Sequence, residues 1–130
     1  MKRDLGSIIL TRQELQIMKV VWERSEATVK EVCDTISQRK ATAYTTILTL
    51  MGILEGKGAL CHEKSGRAYV YKAVLTRNQA TENQVRDIIE RFFDGQKGKL
   101  IENLLKDGTE VESLAKAEEA GGFRQEIQIA

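Results

Sequence analysis

Few residues in this 130-residue chain could perform covalent chemistry or hold a metal ion. His62 is the only histidine and follows Cys61, while the second cysteine, Cys33, lies far from that pair. Two adjacent ligands without a second pair make a weak metal site, and Cys33 falls in a helical apolar pattern typical of a small core residue. No nucleophile is paired with a base, and no glycine-rich phosphate loop is present. We therefore expect neither an enzyme nor a metal or other cofactor.

The segment Ala43–Gly58 offers a different chemistry, that of hydroxyl groups on a helix. At about 100° per residue, its large apolar side chains fall on one side and small residues fall opposite them. The apolar side holds Ile47, Leu50, Met51 and Leu54, and the opposite side holds Thr45, Thr49, Gly52 and Gly56. An exposed helix face normally favours Lys, Glu and Gln, because threonine and glycine cost helix stability. A face of threonine and glycine indicates that a partner approaches the helix backbone closely.

Duplex DNA fits such a face. In helix-turn-helix proteins the second helix enters the major groove, where threonine can bond to bases or phosphates and pack against thymine methyl groups. The first half of the chain, residues 1–75, has 12 basic and 8 acidic residues, whereas residues 76–130 have 8 and 11. The basic excess is concentrated in residues 39–72 and favours an anionic partner there. The predicted DNA contacts are Arg39, Lys40, Thr42, Ala43, Tyr44, Thr45, Thr46, Thr49, Lys64 and Arg67.

The order of elements around this segment is that of a winged helix-turn-helix. Residues 11–14 and 28–31 are capping boxes, each followed by apolar residues at helical spacing. A short interruption leads into the helix over 43–58, which glycine ends. β-forming residues on both sides of Ser65-Gly66 predict a hairpin of roughly 59–64 and 67–74, the wing. The predicted fold is mainly α with a small β-hairpin wing, and residues 1–75 form its DNA-binding domain.

Residues 76–120 are predicted to form a helical dimerisation domain. Their apolar stripes are wide and their helices few, so the stripes need a partner surface, for which a second copy of the chain is the simplest choice. The predicted contacts are Ile88, Ile89, Phe92, Phe93, Leu100, Ile101, Leu104, Leu105 and Leu114. Residues 121–130 are expected to be a flexible tail.

Length and composition set further limits. A chain with 42% hydrophobic and 30% charged residues and this length suits one small core rather than two full domains. No apolar run is long enough to span a bilayer, and the N-terminus lacks the features of a signal peptide. We expect a cytoplasmic protein with no direct membrane insertion.

Three stretches of the chain resemble the penicillinase repressor family, which includes the BlaI/MecI-type and the copper-responsive CopY-type regulators. They are "ELQIMKVVWERSEATVKEV", "AYTTILTLMGILEGKGAL" and "GRAYVYKAV", and the resemblance covers roughly residues 10–114. It implies a homodimeric transcriptional repressor whose winged helix binds a palindromic promoter operator and whose C-terminal helices dimerise. By similarity, Thr45, Thr46 and Thr49 lie on the recognition helix and contact the groove. Members often carry a basic residue where this chain has Ile53.

The resemblance also implies a route to derepression. In the β-lactam-responsive members, signalling by a membrane sensor metalloprotease leads to cleavage within the dimerisation region, and the cleaved bond would fall here at Asn103–Leu104. The alternative is that Asn103 is an ordinary polar residue beside an apolar stripe. The copper-responsive members carry a C-terminal cysteine-rich metal motif, and this chain has no cysteine after Cys61.

Two other functions stay open on the sequence alone. A winged helix can serve as a protein-interaction module, with the acidic C-terminal half docking a partner. Salt separates this alternative from DNA binding, which weakens steeply as salt rises. A redox or metal sensor would use Cys33, Cys61 and His62, and replacing both cysteines with serine would abolish its response.

Overall fold

A computed structural model of the chain describes residues 5–106. In this range a short 3-10 turn at Leu5–Ser7 precedes five helices and three strands. In chain order these are α1 (Arg12–Arg24), β1 (Glu26–Ala27), α2 (Val29–Ser37), α3 (Tyr44–Lys57), β2 (Leu60–Ser65), β3 (Ala68–Ala73), α4 (Arg77–Phe93) and α5 (Lys97–Leu105). The mainly helical architecture with a small antiparallel sheet confirms the predicted fold class. None of these helices is both long enough and apolar enough to cross a bilayer.

Local hydrogen bonds explain where α1 and α2 begin. Thr11 Oγ1 accepts from the backbone N–H of Glu14 at 3.2 Å, and Glu14 Oε1 accepts from the N–H of Thr11 at 2.8 Å. Thr28 and Glu31 form the same reciprocal pair at 3.1 and 2.9 Å. Both predicted capping boxes are therefore present, and each satisfies two backbone donors that lack a partner within the helix.

The sheet has the strand order β1-β3-β2, with antiparallel pairing throughout. β2 and β3 form the predicted hairpin, whose last pair before the loop is Ser65 opposite Ala68. Gly66 and Arg67 form the loop, one residue later than predicted, because Gly66 adopts φ +64°, a region that glycine enters without strain. The sequence did not predict β1, whose two residues are too few to show an alternating pattern.

The core lies where α1, α2 and α3 pack against one another and against the sheet. Its largest fully buried side chains are Ile17, Met18, Val21, Val32, Ile47, Met51, Leu54 and Leu75. At its edge, Trp22 donates its indole N–H to the carbonyl oxygen of Leu75 at 2.8 Å. Each fully buried side chain of this kind contributes roughly 1.5–3 kcal/mol. The three buried residues of α3 therefore determine which face of that helix stays outside.

A buried asparagine ties the first part of α4 to the segment before α1. The side chain of Asn83, which is 3% exposed, donates to the carbonyl oxygens of Leu5 at 2.6 Å and Ile8 at 3.0 Å. The chain divides into two compact units, Met1–Val85 and Arg86–Ala130, and these bonds lie in the first. The predicted contact at position 114 and the predicted tail fall outside the described residues.

Candidate nucleic-acid interface

The turn between α2 and α3 is fixed by side chains of α2. Ser37 Oγ accepts from the N–H of Thr42 at 3.3 Å, and Cys33 Sγ donates to the carbonyl oxygen of Thr42 at 3.4 Å. The Thr42 hydroxyl in turn donates to the carbonyl oxygen of Lys40 at 2.8 Å. Thr42 therefore shapes the turn, while the side chains of Arg39 and Lys40 are exposed on it.

α3 begins without a side-chain cap. Its N-cap residue, Ala43, has no side-chain oxygen, and no side-chain cap hydrogen bond forms there among residues 5–106. The amides of Thr46 and Ile47 bond to the Ala43 carbonyl oxygen at 3.1 and 3.3 Å. The preceding amides of the first turn stay open at the positive end of the helix dipole. Because α1 and α2 close their first turns with capping boxes, the start of α3 is the better suited to a phosphate oxygen.

The exposed face of α3 is the one that the helical wheel predicts. The buried side chains are Ile47, Met51 and Leu54, with Leu50 half-buried. The exposed residues on the opposite side are Thr45, Thr46, Thr49, Gly52 and Gly56. A Cβ atom added at either glycine would meet no heavy atom within 4 Å. Packing within the protein therefore gives no reason for glycine at these two positions.

An open depression of about 310 Å³ lies beside this face. It is lined by Gln13, Thr45, Thr46, Thr49 and Leu50. The structure thus brings the three threonines predicted as groove contacts together and adds Gln13, an exposed residue of α1. Sequence reasoning missed Gln13, because glutamine is common near a helix start and nothing local shows which helix it lies beside.

The wing is held against α3 by His62. The Nδ1 atom of His62 lies 2.8 and 2.7 Å from the two carboxylate oxygens of Glu55, in the last turn of α3. The His62 ring also contacts the rings of Tyr69 and Tyr71, with centroids 4.9 and 5.3 Å apart. Burial raises the pKa of Tyr71 and the nearby Glu55 charge adds to the shift, so this phenol stays neutral. These contacts hold the wing against the last turn of α3.

Ion pairs decide which basic residues of this region are available to a partner. Lys57 Nζ lies 2.7 Å from Glu14 Oε1, and Lys72 Nζ lies 3.6 Å from Glu63 Oε2, so both charges are compensated within the fold. The basic residues between positions 39 and 72 that form no ion pair with another described residue are Arg39, Lys40, Lys64 and Arg67. All four are exposed, and all four are predicted DNA contacts. We call them the turn and wing cations.

Glu14 is the buried member of the first of these ion pairs, with an exposure of 2%. Burial by itself raises the pKa of the Glu14 carboxyl. The hydrogen bond from Lys57, the backbone N–H of Thr11, the Lys57 charge and the Thr11 side chain together outweigh burial, so the pKa lies below its ordinary value of 4.5. The charged carboxylate thus binds both the start of α1 and the last turn of α3.

The three residues that a redox or metal sensor would use lie in different surroundings. Cys33 is buried and bonded to the turn, Cys61 is exposed, and His62 pairs with Glu55. Within the range 5–106, no group of three or more His, Cys, Asp or Glu side chains could hold a metal ion.

The described part of the second unit, residues 86–106, exposes much of its apolar surface. Four of the predicted dimerisation residues are half-buried: Ile88, Ile89, Phe93 and Leu100. Four more are between 52% and 70% exposed: Phe92, Ile101, Leu104 and Leu105. No residue of α5 is buried. Half of the predicted dimerisation residues within the described range are therefore exposed to solvent.

Comparison with known proteins gives matches over both halves of the chain. The family model described as penicillinase repressor matches residues 10–120. The penicillinase repressor of Bacillus licheniformis is 31% identical in an alignment of 105 positions that covers 78% of this chain and 82% of that protein. The chain is thus similar to a named repressor over most of both sequences.

Solved structures match the winged-helix part. The solution structure of the DNA-binding domain of the repressor BlaI has a TM-score of 0.52 at 32% identity, covering 60% of this chain and 93% of that domain. The solution structure of monomeric Bacillus licheniformis BlaI in complex with the blaP half-operator has a TM-score of 0.50 at 33% identity, covering 56% and 89%. As the sequence predicted, these similarities are to a repressor and not to an enzyme. The chain therefore belongs to the penicillinase repressor family of DNA-binding transcriptional repressors.

Proposed function

We propose that this chain represses transcription as a homodimer that occupies a palindromic promoter operator in the cytoplasm. The observation that carries the proposal is the grouping around α3 of an open helix start, an exposed face of threonine and glycine, and the four turn and wing cations. The similar BlaI structure, solved in complex with a half-operator, supports duplex DNA as the ligand.

In this proposal α3 enters the major groove with its exposed face toward the bases. Thr45, Thr46 and Thr49 contact base edges, because residues near the start of a recognition helix reach furthest into the groove. The open amides of Tyr44 and Thr45 in the first turn of α3 can donate to a phosphate oxygen. The turn and wing cations bind phosphates on either side, which fixes the position of the helix, while the base contacts supply the discrimination. Repression then needs occupancy of the promoter and no covalent step.

We propose that dimerisation uses the apolar surface of the second unit. Phe92 is 70% exposed and Ile101, Leu104 and Leu105 are each more than half exposed, and several large apolar side chains exposed to water are typical of an interaction surface. A symmetric dimer would place two α3 helices in successive major grooves about 34–36 Å apart, so that operator symmetry mirrors protein symmetry.

We also propose, on the family resemblance, that a pathway with a membrane sensor metalloprotease relieves repression by cleavage at Asn103–Leu104. This bond lies in α5, a helix of nine residues with none buried. Helices this short are marginal without packing, so local opening would expose the bond at a low free-energy cost. The mass of the chain recovered from induced cells tests this step. A fragment ending at Asn103 supports it, and a chain that remains intact during induction contradicts it.

The DNA-reading role is tested by Thr45→Ala and Thr49→Ala in gel shifts with an operator duplex and with a duplex of unrelated sequence. Both variants should lose more affinity for the operator than for the unrelated duplex, because they remove base contacts and leave phosphate contacts in place. Thr81→Ala on α4, where the hydroxyl donates to the carbonyl oxygen of Arg77, is the matched control and should bind like the wild type. Equal losses on both duplexes would show that the threonines do not read bases.

A further inference from the structure

The part of α3 that would enter the groove lacks charged and amide side chains. From Tyr44 to Leu54 its polar side chains are the hydroxyls of one tyrosine and three threonines. The charged residues of α3 are Glu55 and Lys57, both in its last turn. Each is already bonded within the fold, to His62 and Glu14 respectively. The exposed face of α3 is therefore neutral.

This neutrality removes the strongest direct contacts to bases. In the major groove, guanine is read by Arg or Lys, adenine by Asn or Gln, and cytosine by Asp or Glu. A hydroxyl group both donates and accepts, so by itself it distinguishes these bases poorly. Gln13 of α1 is the amide among the residues that line the neighbouring depression, and its contribution must be tested separately. α3 itself needs another basis for discrimination.

Apolar side chains flank the threonines on the outside of α3. Leu48 and Ile53 are each 45% exposed. Leu48 lies three residues after Thr45, and Ile53 lies four residues after Thr49, so each is a neighbour of a threonine on the helix surface. The threonine methyl groups extend this apolar surface between them. Among base edges in the major groove, the matching apolar group is the 5-methyl of thymine.

We propose that α3 reads each operator half-site through thymine 5-methyl groups, with Leu48 as the main contact and Ile53 as the second. The inference rests on the proposed function, since it names the chemistry by which the same helix selects its operator. The threonine hydroxyls then add hydrogen bonds to bases or phosphates that hold the apolar side chains against the methyl groups. The half-site core under α3 is expected to contain thymine on at least one strand at each position that these side chains touch.

The test begins with selection of binding sites by the full chain from a random duplex library. Each thymine of an enriched half-site is then replaced by deoxyuridine, which keeps every hydrogen-bonding group and lacks only the methyl. Burial of one such group is worth about 0.8 kcal/mol, so each critical replacement should weaken binding about four-fold. Uracil placed outside the two half-sites should have no effect.

Substitutions in the protein identify the contact. The Leu48→Ala protein should bind the thymine duplex more weakly than the wild type. Its affinity should no longer change when uracil replaces the thymine that Leu48 touches. Val74→Ala is the matched control, because it shortens an apolar side chain that is 41% exposed outside α3. This control should stay as sensitive to uracil as the wild type.

Each of four outcomes would overturn the inference. Enriched half-sites without thymine under α3, or uracil replacements that leave affinity unchanged, would show that methyl groups are not read, although DNA binding would stand. Base preference that disappears in Gln13→Ala and persists in Leu48→Ala would assign the reading to α1 instead. If no sequence is enriched and the chain does not bind duplex DNA, the proposed function itself fails.

Discussion

Gly52→Ala should make the protein more stable and its operator binding weaker. Gly52 lies in the middle of α3, where alanine is favoured over glycine by about 0.5–1 kcal/mol. The added Cβ would meet no heavy atom within 4 Å, so no packing term opposes this gain. For a chain of this size, we expect the melting temperature to rise by a few degrees.

The opposite effect on binding follows from the position of Gly52 on the exposed face of α3. If that face lies close to the bases, one added methyl overpacks the interface, which costs about 1–3 kcal/mol. This cost corresponds to roughly a 5- to 150-fold loss of operator affinity, measured by fluorescence anisotropy with a labelled duplex.

Gly56→Ala is the matched control for Gly52→Ala. Gly56 lies one turn later on the same face, with the same open space around its added Cβ. Because base contacts come from the first turns of a recognition helix, Gly56→Ala should lose less affinity than Gly52→Ala. A Gly52→Ala protein that binds its operator as tightly as the wild type would refute close approach at this position. A lowered melting temperature of the Gly52→Ala protein would show that the added Cβ is not accommodated without strain.

Three further substitutions test the wing, the buried ion pair and the apolar surface. Lys64→Gln should reduce the salt dependence of operator affinity by about one phosphate contact per protomer, seen by titration at several salt concentrations. Lys72→Gln, which removes a cation already paired on the same hairpin, should change that slope less, and equal changes would contradict the choice of wing cation. Glu14→Gln should lower the free energy of unfolding by about 1–2 kcal/mol in urea at neutral pH. Because the pKa of Glu14 is lowered in the folded state, the stabilisation by its carboxylate is complete above the ordinary value of 4.5 and is lost as the pH falls through the folded value. The free energies of unfolding of Glu14→Gln and the wild type should therefore converge in acid. A difference between them that does not change with pH would argue against the ion pair. Phe92→Glu should give a monomer in light scattering with weakened operator binding, whereas Lys97→Glu should remain dimeric, and a dimeric Phe92→Glu protein would exclude Phe92 from the interface.

Features that depend on neighbouring residues could be predicted from the sequence. The two capping boxes fix the starts of α1 and α2, and the apolar spacing of 43–58 fixes both the helix and its exposed face. That helix runs from Tyr44 to Lys57, with Ala43 and Gly58 as its caps, because Gly58 adopts φ 93° and ends it. Helix starts, helix ends and hairpin loops are decided within a few residues, which is why these predictions are accurate to about one residue.

Features that join distant parts of the chain could not be predicted. The Glu14–Lys57 ion pair spans 43 residues, and the bond from Asn83 to Leu5 spans 78. Nothing near Lys57 in the sequence shows that it is neutralised, so a count of charges treats it like the turn and wing cations. Gln13 was missed for the same reason, because its place beside the threonines depends on how α1 packs against α3.

In the proposed mode of binding, the distribution of charge around α3 separates affinity from discrimination. The exposed cations lie in the turn and at the tip of the wing, while the exposed face of α3 is neutral. Affinity that comes from phosphate contacts depends on salt and not on the base sequence. Affinity that comes from a neutral apolar face depends on the base sequence and hardly on salt. Substitutions in the turn and wing should therefore change the salt dependence on every duplex. Substitutions at Leu48 or Ile53 should change which duplex sequences are preferred and leave the salt dependence of the affinity unchanged. Under this proposal Ile53 belongs to the reading surface and not to the phosphate-binding one.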